Sequence, residues 1–366
     1  MNRTLVFCVF LCFFAFLAII FGYLGRKLYC AFKEKFNGIR PLFFVAAYIS
    51  ALFAIIYFRT VFAATILYAL IFYILADLVK LIFNLFKIKG KARLILKKLN
   101  FHGFTALALA LVLTVCAAVN CKIFRVTDYD IQINKTIGGD GEINIAMISD
   151  THLGTSLYEK DIDRIVEKIN ALNPDVICLC GDIIDESTEL DLEDYAVTAF
   201  SKLEAKYGTF YINGNHERAD DRVRFGNKLK NVGVNVLYDD YVLINGSFYL
   251  VGRNNGSLMS GDVSRMNINE LTAPLDKSLP IILLDHEPNS SEENSSAGTD
   301  LQLSGHTHDG QLYPLNYIAA LSNDYGYGYF NAGDYNITVS SGIGTWGFPV
   351  RLGSKSEIVH IKLTGK

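Results

Sequence analysis

The sequence predicts an N-terminal all-α transmembrane bundle of four helices over residues 1–120, followed by an α/β domain over residues 121–366. Three observations lead to this fold class. Long apolar stretches fill the first third, and from about residue 127 short apolar runs alternate with helix-like segments. Charge is also divided, since residues 1–120 hold 14 Lys and Arg against 2 Asp and Glu, whereas the remainder holds 20 against 35.

The apolar stretches are candidate membrane spans, since each approaches the roughly 20 residues needed to cross the hydrocarbon core. They cover about residues 5–25, 42–58, 61–76 (extending towards 86) and 104–120. The first stretch lacks the basic start and the Ala-x-Ala-like exit of a cleaved signal peptide, and three more stretches follow it. We therefore expect it to be a retained helix.

Basic residues in the short loops predict the orientation. The first loop contains Arg26, Lys27, Lys33, Lys35 and Arg40, and the third contains Lys87, Lys89, Lys91, Arg93, Lys97 and Lys98. The second loop has little beyond Arg59. Because basic loops stay cytoplasmic, the sequence predicts a multi-pass protein of the cell membrane whose domain after residue 120 is extracytoplasmic.

Asp77 and Lys80 are the ionisable residues near the end of the third stretch. Such residues can mark an ion path, or they can form an i,i+3 pair that reaches the headgroups. We favour the pair. Few other polar residues interrupt the spans, so we interpret the bundle as an anchor in the lipid bilayer and not as a transporter.

Composition also limits the partners and the redox chemistry. The acidic excess of residues 121–366 argues against a nucleic-acid partner, because phosphate backbones are held by Lys and Arg. Most of the seven cysteines lie in or beside apolar stretches. Cys178 and Cys180 share one face of a predicted strand and are poorly placed to bond each other. We expect free, buried thiols and no disulfide framework.

In the second part, buried strands alternate with amphipathic helices. The run INIAMI is a strand that ends at Asp150 and His152, and a helix follows over about 159–172. The run DVICLC breaks at Gly181, and a helix over about 191–206 leads to GTFYINGNHE. The runs PIILLDHEP and DLQLSGHTHDG repeat the scheme, which predicts an α/β arrangement.

Polar residues follow each of these five strands. Five of the seven histidines lie at such strand ends, which is where α/β sheets bind their ligands. The candidate metal ligands are Asp150, His152, Asp182, Asn215, His286, His306 and His308. This nitrogen and oxygen set suits two divalent ions of Mn, Zn or Fe. Two cations roughly 3.5–4 Å apart clamp a phosphate and activate water, so the set points to phosphoester hydrolysis.

The motifs carry a family resemblance. Asp-Thr-His, Gly-Asp-Ile-Ile-Asp, Gly-Asn-His-Glu, a lone His286 and Gly-His-Thr-His resemble, in this order, the signature of the calcineurin-like metallophosphoesterases. The ending SSGIGTWGFPVRLGSKSEIVHIKL is similar to the membrane-anchored branch that includes transmembrane proteins with a metallophosphoesterase domain. The resemblance covers about residues 125–366. It implies two central mixed β-sheets flanked by helices and an enzyme that hydrolyses a phosphomonoester or phosphodiester.

The resemblance also implies roles for the candidate residues. One metal would take Asp150, His152, Asp182 and His308, and the other would take Asp182, Asn215, His286 and His306, with Asp182 bridging. His216 would be free of metal and protonate the leaving group, and Asp185 would orient it. Asp185 has an alternative role as a helix N-cap. We expect Glu217 to support the ligands without being one.

Two features depart from the family pattern, and a third bears on the substrate. Asp309 stands where the family often has Gly, and it can coordinate, alter metal preference or point to solvent; we favour solvent. The segment VGRNNGS at 251–257 replaces a more acidic form, which puts a substrate contact in question. Glu186 occupies the position at which protein phosphatases carry Arg, so a phosphoprotein substrate is disfavoured.

For several other residues near the motifs, two interpretations are open. Arg218, Arg222 and Arg224 can reach a substrate phosphate or form a solvated mixed-charge surface. Trp346 and Phe348 can line a pocket or cap the core.

The substrate and the activity are the last two expectations. About 25 residues link the last apolar stretch to the first ligand strand, so we hypothesise a lipid- or envelope-linked phosphoester substrate. The alternative function is an inactive membrane module that binds or senses metal. Loss of activity normally removes a ligand or the acid, and the sequence retains the full set.

Overall fold

The computed structural model describes residues 19–20, 22–27, 29–30, 46, 49, 61–91, 93–94, 104–139, 141–256 and 264–366. The chain divides into two compact units, Met1–Ala118 and Val119–Lys366. The predicted spans over 5–25 and 42–58 lie largely outside the described residues.

Two apolar helices stand out before the second unit. Helix α1 is Val61–Leu85 and helix α2 is Phe104–Asn120, close to the predicted bounds. Within the described part of the chain, α1 alone is long and apolar enough to cross a membrane, and α2 is shorter. The bundle of four helices therefore stays a prediction.

Asp77 of α1 is the centre of a polar cluster in the first unit. It accepts hydrogen bonds from the Tyr23 hydroxyl at 2.8 Å and from Lys27 Nζ at 2.5 Å. Lys80 Nζ lies 3.7 Å from the same carboxylate, so the expected i,i+3 pair forms. Lys27 also lies over the ring of Tyr73 at 5.7 Å. The carboxylate, whose side chain is 34% exposed, is thus paired with two cationic side chains within the unit.

The second unit contains two six-stranded sheets, and the first has the order β1-β12-β2-β3-β4-β5. All neighbours in it are parallel except β12 and β2. Its strands are β1 Phe124–Gln132, β2 Glu142–Ile148, β3 Val176–Cys180, β4 Thr209–Ile212, β5 Asn235–Val236 and β12 Ser356–Thr364. Its outer face is covered by helices α3 Glu159–Asn170, α4 Leu190–Phe200 and α5 Ala219–Asn231.

The second sheet has the order β10-β11-β9-β8-β7-β6, with four parallel strands between antiparallel edges. Its strands are β6 Asp240–Ile244, β7 Phe248–Gly252, β8 Ile281–Leu284, β9 Leu301–Ser304, β10 Gly328–Ala332 and β11 Tyr335–Val339. The short helices of this half are α6 Ile268–Thr272, α7 Ser291–Ser296 and α8 Asn316–Ser322. Leu271 of α6 packs on the outer face of the sheet.

The two sheets share one apolar core. Met147 and Phe210 of the first sheet belong to the same buried cluster as Leu250 and Leu303 of the second. All five residues of β3 are buried, as expected for a parallel strand covered on both faces. The predicted pair of mixed sheets with flanking helices is therefore confirmed.

The predictions for the cysteines and for one helix can also be compared with the structure of this unit. Cys178 and Cys180 are free and buried, as predicted. The helix predicted over 191–206 ends at Phe200, since Ser201 caps it and a turn leads into β4.

Candidate metal centre

The predicted ligands lie just beyond the carboxyl ends of five parallel strands. Asp150 and His152 follow β2, and Asp182 follows β3. Asn215 and His216 follow β4. The remaining three follow β8 and β9, and they are His286, His306 and His308. The strand ends of both sheets thus bring the predicted residues together at one edge of the sandwich.

The backbone at these residues is strained. Five of them have a positive φ, a conformation that is uncommon for residues other than glycine. The angles are 54° at Asp150, 40° at His152, 52° at Asp182, 71° at His306 and 51° at His308. Each such residue costs roughly 1–3 kcal/mol and persists only where the surrounding structure enforces it. Backbone strain is therefore concentrated at the residues whose side chains point to a common centre.

The first group of converging side chains is Asp150, His152 and His308, which are all buried. Nε2 of His308 lies 3.5 Å from Oδ1 of Asp150 and 3.2 Å from Nε2 of His152. Two imidazole nitrogens at this distance need a proton or a cation between them. Their ligand atoms lie within 4.8 Å of one another, which suits a divalent cation.

The second group is Asp182, His286 and His306. Nδ1 of His286 lies 2.8 Å from the carbonyl oxygen of Cys180, which fixes the proton on that nitrogen. Its Nε2 faces Oδ2 of Asp182 at 3.1 Å, and this contact needs a proton or a cation between the two atoms. Asn215 joins this group, since its Oδ1 lies 2.7 Å from Nδ1 of His306.

Asp182 stands between the two groups. Its Oδ2 is 3.1 Å from Nε2 of His286 and 3.6 Å from Nε2 of His152. Its Oδ1 accepts the backbone N–H of His216 at 2.8 Å. Burial alone raises the pKa of Asp182, but the neighbouring imidazoles of His286 and His152 hold it well below its usual range. The donor set and its geometry fit two cations with one shared carboxylate.

His216 lies beside the first group. Its ring centroid is 4.9 Å from that of His152 and 5.9 Å from that of Trp346. Its Nδ1 is 3.7 Å from Oε2 of Glu186, and this contact was not predicted. Burial lowers the pKa of His216, against the opposing charge of Asp182.

Asp185 has different contacts from those expected. Its Oδ2 lies 3.5 Å from Nδ1 of His152, and its Oδ1 accepts from the backbone and hydroxyl of Ser187. Helix α4 has Glu189 at its N-cap, so the alternative of Asp185 as a helix N-cap is wrong. The expectation that Asp185 orients His216 stays a prediction, with Glu186 as a second candidate.

Glu217 ties two ligand loops together. Its carboxylate accepts backbone N–H groups of Asp182 at 3.0 Å, Ile183 at 2.6 Å, Ile184 at 3.2 Å and Gly214 at 2.6 Å. Burial raises the pKa of Glu217 to about 7. The residue supports the ligands from behind, in line with the sequence-based expectation.

Two glycines of the motifs are required by close packing. A Cβ at Gly214 would come within 2.2 Å of Oδ1 of Asp182. A Cβ at Gly305 would come within 2.3 Å of Oδ2 of Asp150. Both carboxylates therefore occupy space that any other residue would fill.

Arg351 is a residue that sequence reasoning missed. It is fully buried, and its guanidinium donates to the carbonyls of His308 at 3.2 Å, Gly342 at 3.2 Å and Gly344 at 2.5 Å. Burial lowers its pKa to about 10. The only available signal was an arginine within a Gly-rich, uncharged run. Arg351 fixes the loop of His308 to the loop that carries Trp346.

The segment that departs from the family pattern has a structural role. Arg253 is buried, and its Nη1 lies 3.0 Å from Oδ1 of Asn294 and 3.5 Å from Oδ2 of Asp285. Arg265 donates to both oxygens of Asp285 at 3.0 and 2.6 Å. Asp285 directly precedes His286, so these charges hold that ligand strand in place. Ser257 lies outside the described residues.

Two of the arginines that follow the Asn-His motif form internal pairs. Arg222 donates to Asn254 at 3.0 Å, and Arg224 pairs with Glu193 and Asp221, both at 2.6 Å. This arrangement favours the mixed-charge interpretation over a phosphate clamp.

Asp309 and Trp346 flank the site. Asp309 is half-buried, belongs to neither group of candidate ligands in the described part of the chain, and has its pKa raised to about 6 by burial. Trp346 is 44% exposed, so it does not cap the core. With its ring beside that of His216, it borders the opening of the site.

Comparison with known proteins identifies the family. The sequence pattern of the calcineurin-like phosphoesterases matches residues 143–310. An uncharacterized metallophosphoesterase of Campylobacter jejuni is 33% identical over 310 residues, which cover 82% of this chain and 79% of that protein. The chain belongs to the calcineurin-like metallophosphoesterase family. The predicted family is therefore confirmed, and the chain is a metallophosphoesterase.

Two further relatives extend this result. A Bos taurus protein named transmembrane protein with metallophosphoesterase domain is 30% identical, over 73% of this chain and 63% of that protein. An uncharacterized metallophosphoesterase of Aquifex aeolicus is 30% identical, over 70% of this chain and 98% of that protein. The first relative supports the membrane-linked branch.

Proposed function

We propose that this metallophosphoesterase hydrolyses a phosphomonoester or phosphodiester with two divalent cations, Mn, Zn or Fe. Asp150, His152, Asp182 and His308 would hold one cation, and Asp182, Asn215, His286 and His306 the other. The observation that supports this most strongly is the position of the Asp182 carboxylate between two buried groups of ligands. When bound, such cations neutralise phosphate charge and make water a better nucleophile.

The chain's own residues would supply the proton. His216 lies beside the first group but belongs to neither, and its backbone N–H is held by Asp182. In this position its imidazole would protonate the leaving oxygen of the substrate. Trp346 would exclude water from one side of that imidazole. Asp185 would fix His152, and Glu186 would orient His216.

We further propose a multi-pass protein of the cell membrane whose catalytic domain is extracytoplasmic. The apolar α1 and the basic loops support this orientation. The relative from Bos taurus is also named a transmembrane protein. Three residues separate the end of α2 at Asn120 from the start of β1 at Phe124. A lipid- or envelope-linked phosphoester fits such a short connection.

The test uses the full chain in detergent with Mn or Zn, assayed on a monoester and a diester of p-nitrophenol. Asp182→Asn should lose bound metal and rate together, whereas His216→Ala should keep its metal and lose about 10²–10⁴-fold in rate. Wild-type rates in both variants would refute the mechanism. Metal binding without hydrolysis of any ester would favour the inactive sensing module instead.

A further inference from the structure

The segment at 313–322 is apolar and exposed. Helix α8 within it buries none of its residues. Tyr317 is 59% exposed, Ile318 is 60% exposed and Leu321 is 87% exposed. No charged residue occurs in the sequence from 310 to 323. A surface helix normally turns polar residues to water, so an exposed apolar helix marks a contact with another apolar phase.

This segment is joined to the loop that carries Trp346. The Gln311 side chain accepts the backbone N–H of Trp346 at 2.8 Å and donates to its carbonyl at 3.0 Å. The backbone N–H of Tyr313 donates to the carbonyl of Leu352 at 2.8 Å. We call this joined surface the apolar rim, and it consists of Tyr313, Leu315, Tyr317, Ile318, Leu321 and Trp346.

The end of α2 bonds to the same loop. Nδ2 of Asn120 donates to the carbonyls of Arg351 at 3.0 Å and Ser354 at 3.1 Å. The next residue continues the attachment, since the Ser356 hydroxyl donates to the Cys121 carbonyl at 2.9 Å. The catalytic unit therefore begins, at Asn120 and Cys121, against the loop that carries one end of the apolar rim.

We propose that the apolar rim docks into the boundary between headgroups and acyl chains of the lipid bilayer. This inference rests on the proposed membrane anchoring of the chain. Tyr and Trp are typical of that boundary because their rings are apolar and their edges polar. Ile318 and Leu321 supply the aliphatic side chains that enter the acyl region. Continuity with the end of α2 favours the bilayer over a second copy of the chain.

Docking of the rim would set the depth of the active site. Gly310 lies at the end of the turn after His308, and a Cβ there would come within 2.2 Å of the backbone nitrogen of Asn316. Helix α8 is thus packed directly against a ligand turn. At the other end of the rim, Trp346 lies beside His216. The docked surface holds both sides of the catalytic opening at headgroup depth, where a lipid phosphoester presents its phosphorus.

The experiment uses the full chain in proteoliposomes. Trp346 is the only tryptophan of the sequence, so its fluorescence reports on the rim alone. Lipids brominated near the headgroup should quench it, because bromine acts only at short range. Leu321→Asp and Ile318→Asp should relieve the quenching. The matched control is Leu243→Asp, a change at a 43% exposed residue on the edge strand β6.

Each rim variant should shift the ratio of docked to undocked protein by about tenfold, since it removes a buried aliphatic side chain. Hydrolysis of a lipid-linked ester should fall in parallel, while hydrolysis of p-nitrophenyl esters stays at the wild-type rate. Thermal unfolding of each variant checks that the domain is folded.

Other results would overturn the proposal. One is equal Trp346 emission in brominated and ordinary lipid, and another is rim variants that behave like Leu243→Asp. A shift from dimer to monomer in the rim variants, with quenching unchanged, would assign the rim to self-association. The Trp346 fluorescence of Asp182→Asn should be quenched by brominated lipid as in the wild type. Failure of docking and failure of hydrolysis are therefore distinguishable.

Discussion

Nε2 of His286 lies 3.1 Å from Oδ2 of Asp182, while Nδ1 of the same imidazole donates to the carbonyl of Cys180, so the contact needs a proton or a cation between its two atoms. This pair lies at the centre of the site, and burial removes water as an alternative partner. The free energy of the folded domain therefore depends on what lies between these two atoms. The Nε2 atoms of His152 and His308, 3.2 Å apart, likewise need a proton or a cation between them.

Metal removal should lower the stability of the catalytic unit. Cations that bind only the folded chain raise the free energy of unfolding, by about 2.7 kcal/mol at a concentration 100 times Kd. We expect a lower Tm of the full chain in EDTA than in Mn or Zn, with recovery on adding metal back. An Asp182→Asn variant serves as the control, since its Tm should respond little. Equal Tm values of the wild type in EDTA and metal would contradict the two-cation site.

Glu186 and Asp185 should have separable effects. Glu186 faces His216 at 3.7 Å, so Glu186→Gln should lower kcat about tenfold while bound metal stays at the wild-type level. Asp185 faces Nδ1 of His152 at 3.5 Å, so Asp185→Asn should weaken metal binding about 10–100-fold. Metal analysis beside steady-state kinetics measures both. The reverse assignment would return the orienting role to Asp185, as the family resemblance implied.

Much of this site was predictable because its ligands follow strands that are recognisable by themselves. A parallel strand buried on both faces is a continuous apolar run, and β3 shows this in all five of its residues. Parallel strands end at one edge, so the order of motifs along the chain implied a common centre. The two-sheet fold came from the family resemblance, and the structure confirms it.

The remaining features depend on contacts that residue type does not encode. Arg351 bonds to backbone carbonyls, and any residue type supplies a carbonyl. The contacts of Asp185 depend on a local turn in which Ser187 donates to one oxygen of its carboxylate. The exposure of α8 was also not predictable from the sequence, since a short apolar run normally indicates a core segment.

The buried thiols of the catalytic unit should be unreactive in the folded protein. Burial raises the pKa of Cys121, Cys178 and Cys180, so each stays protonated at a pH at which an ordinary thiol ionises. We expect no maleimide labelling of these three at about pH 9, half a unit above the ordinary thiol pKa, and full labelling after denaturation. Peptide mapping identifies the labelled sites, and the denatured chain is the control for complete labelling. Labelling of Cys178 in the folded chain would contradict the buried core between the sheets.

Arg351 should contribute strongly to stability through its backbone contacts. Replacement by Met preserves much of the volume but leaves the carbonyl of Gly344 without its donor and removes one of two donors from the carbonyls of His308 and Gly342. A hydrogen bond from a charged donor contributes about 1.5–3 kcal/mol, so we expect Arg351→Met to lower the free energy of unfolding by at least about 3 kcal/mol. Arg351→Lys should recover only part, because one ammonium cannot match the spread of a guanidinium. Chemical denaturation of the full chain in detergent, with Lys362→Met as a control on the exposed side of β12, measures both. If Arg351→Met unfolds at the wild-type denaturant concentration, the guanidinium does not hold the His308 loop.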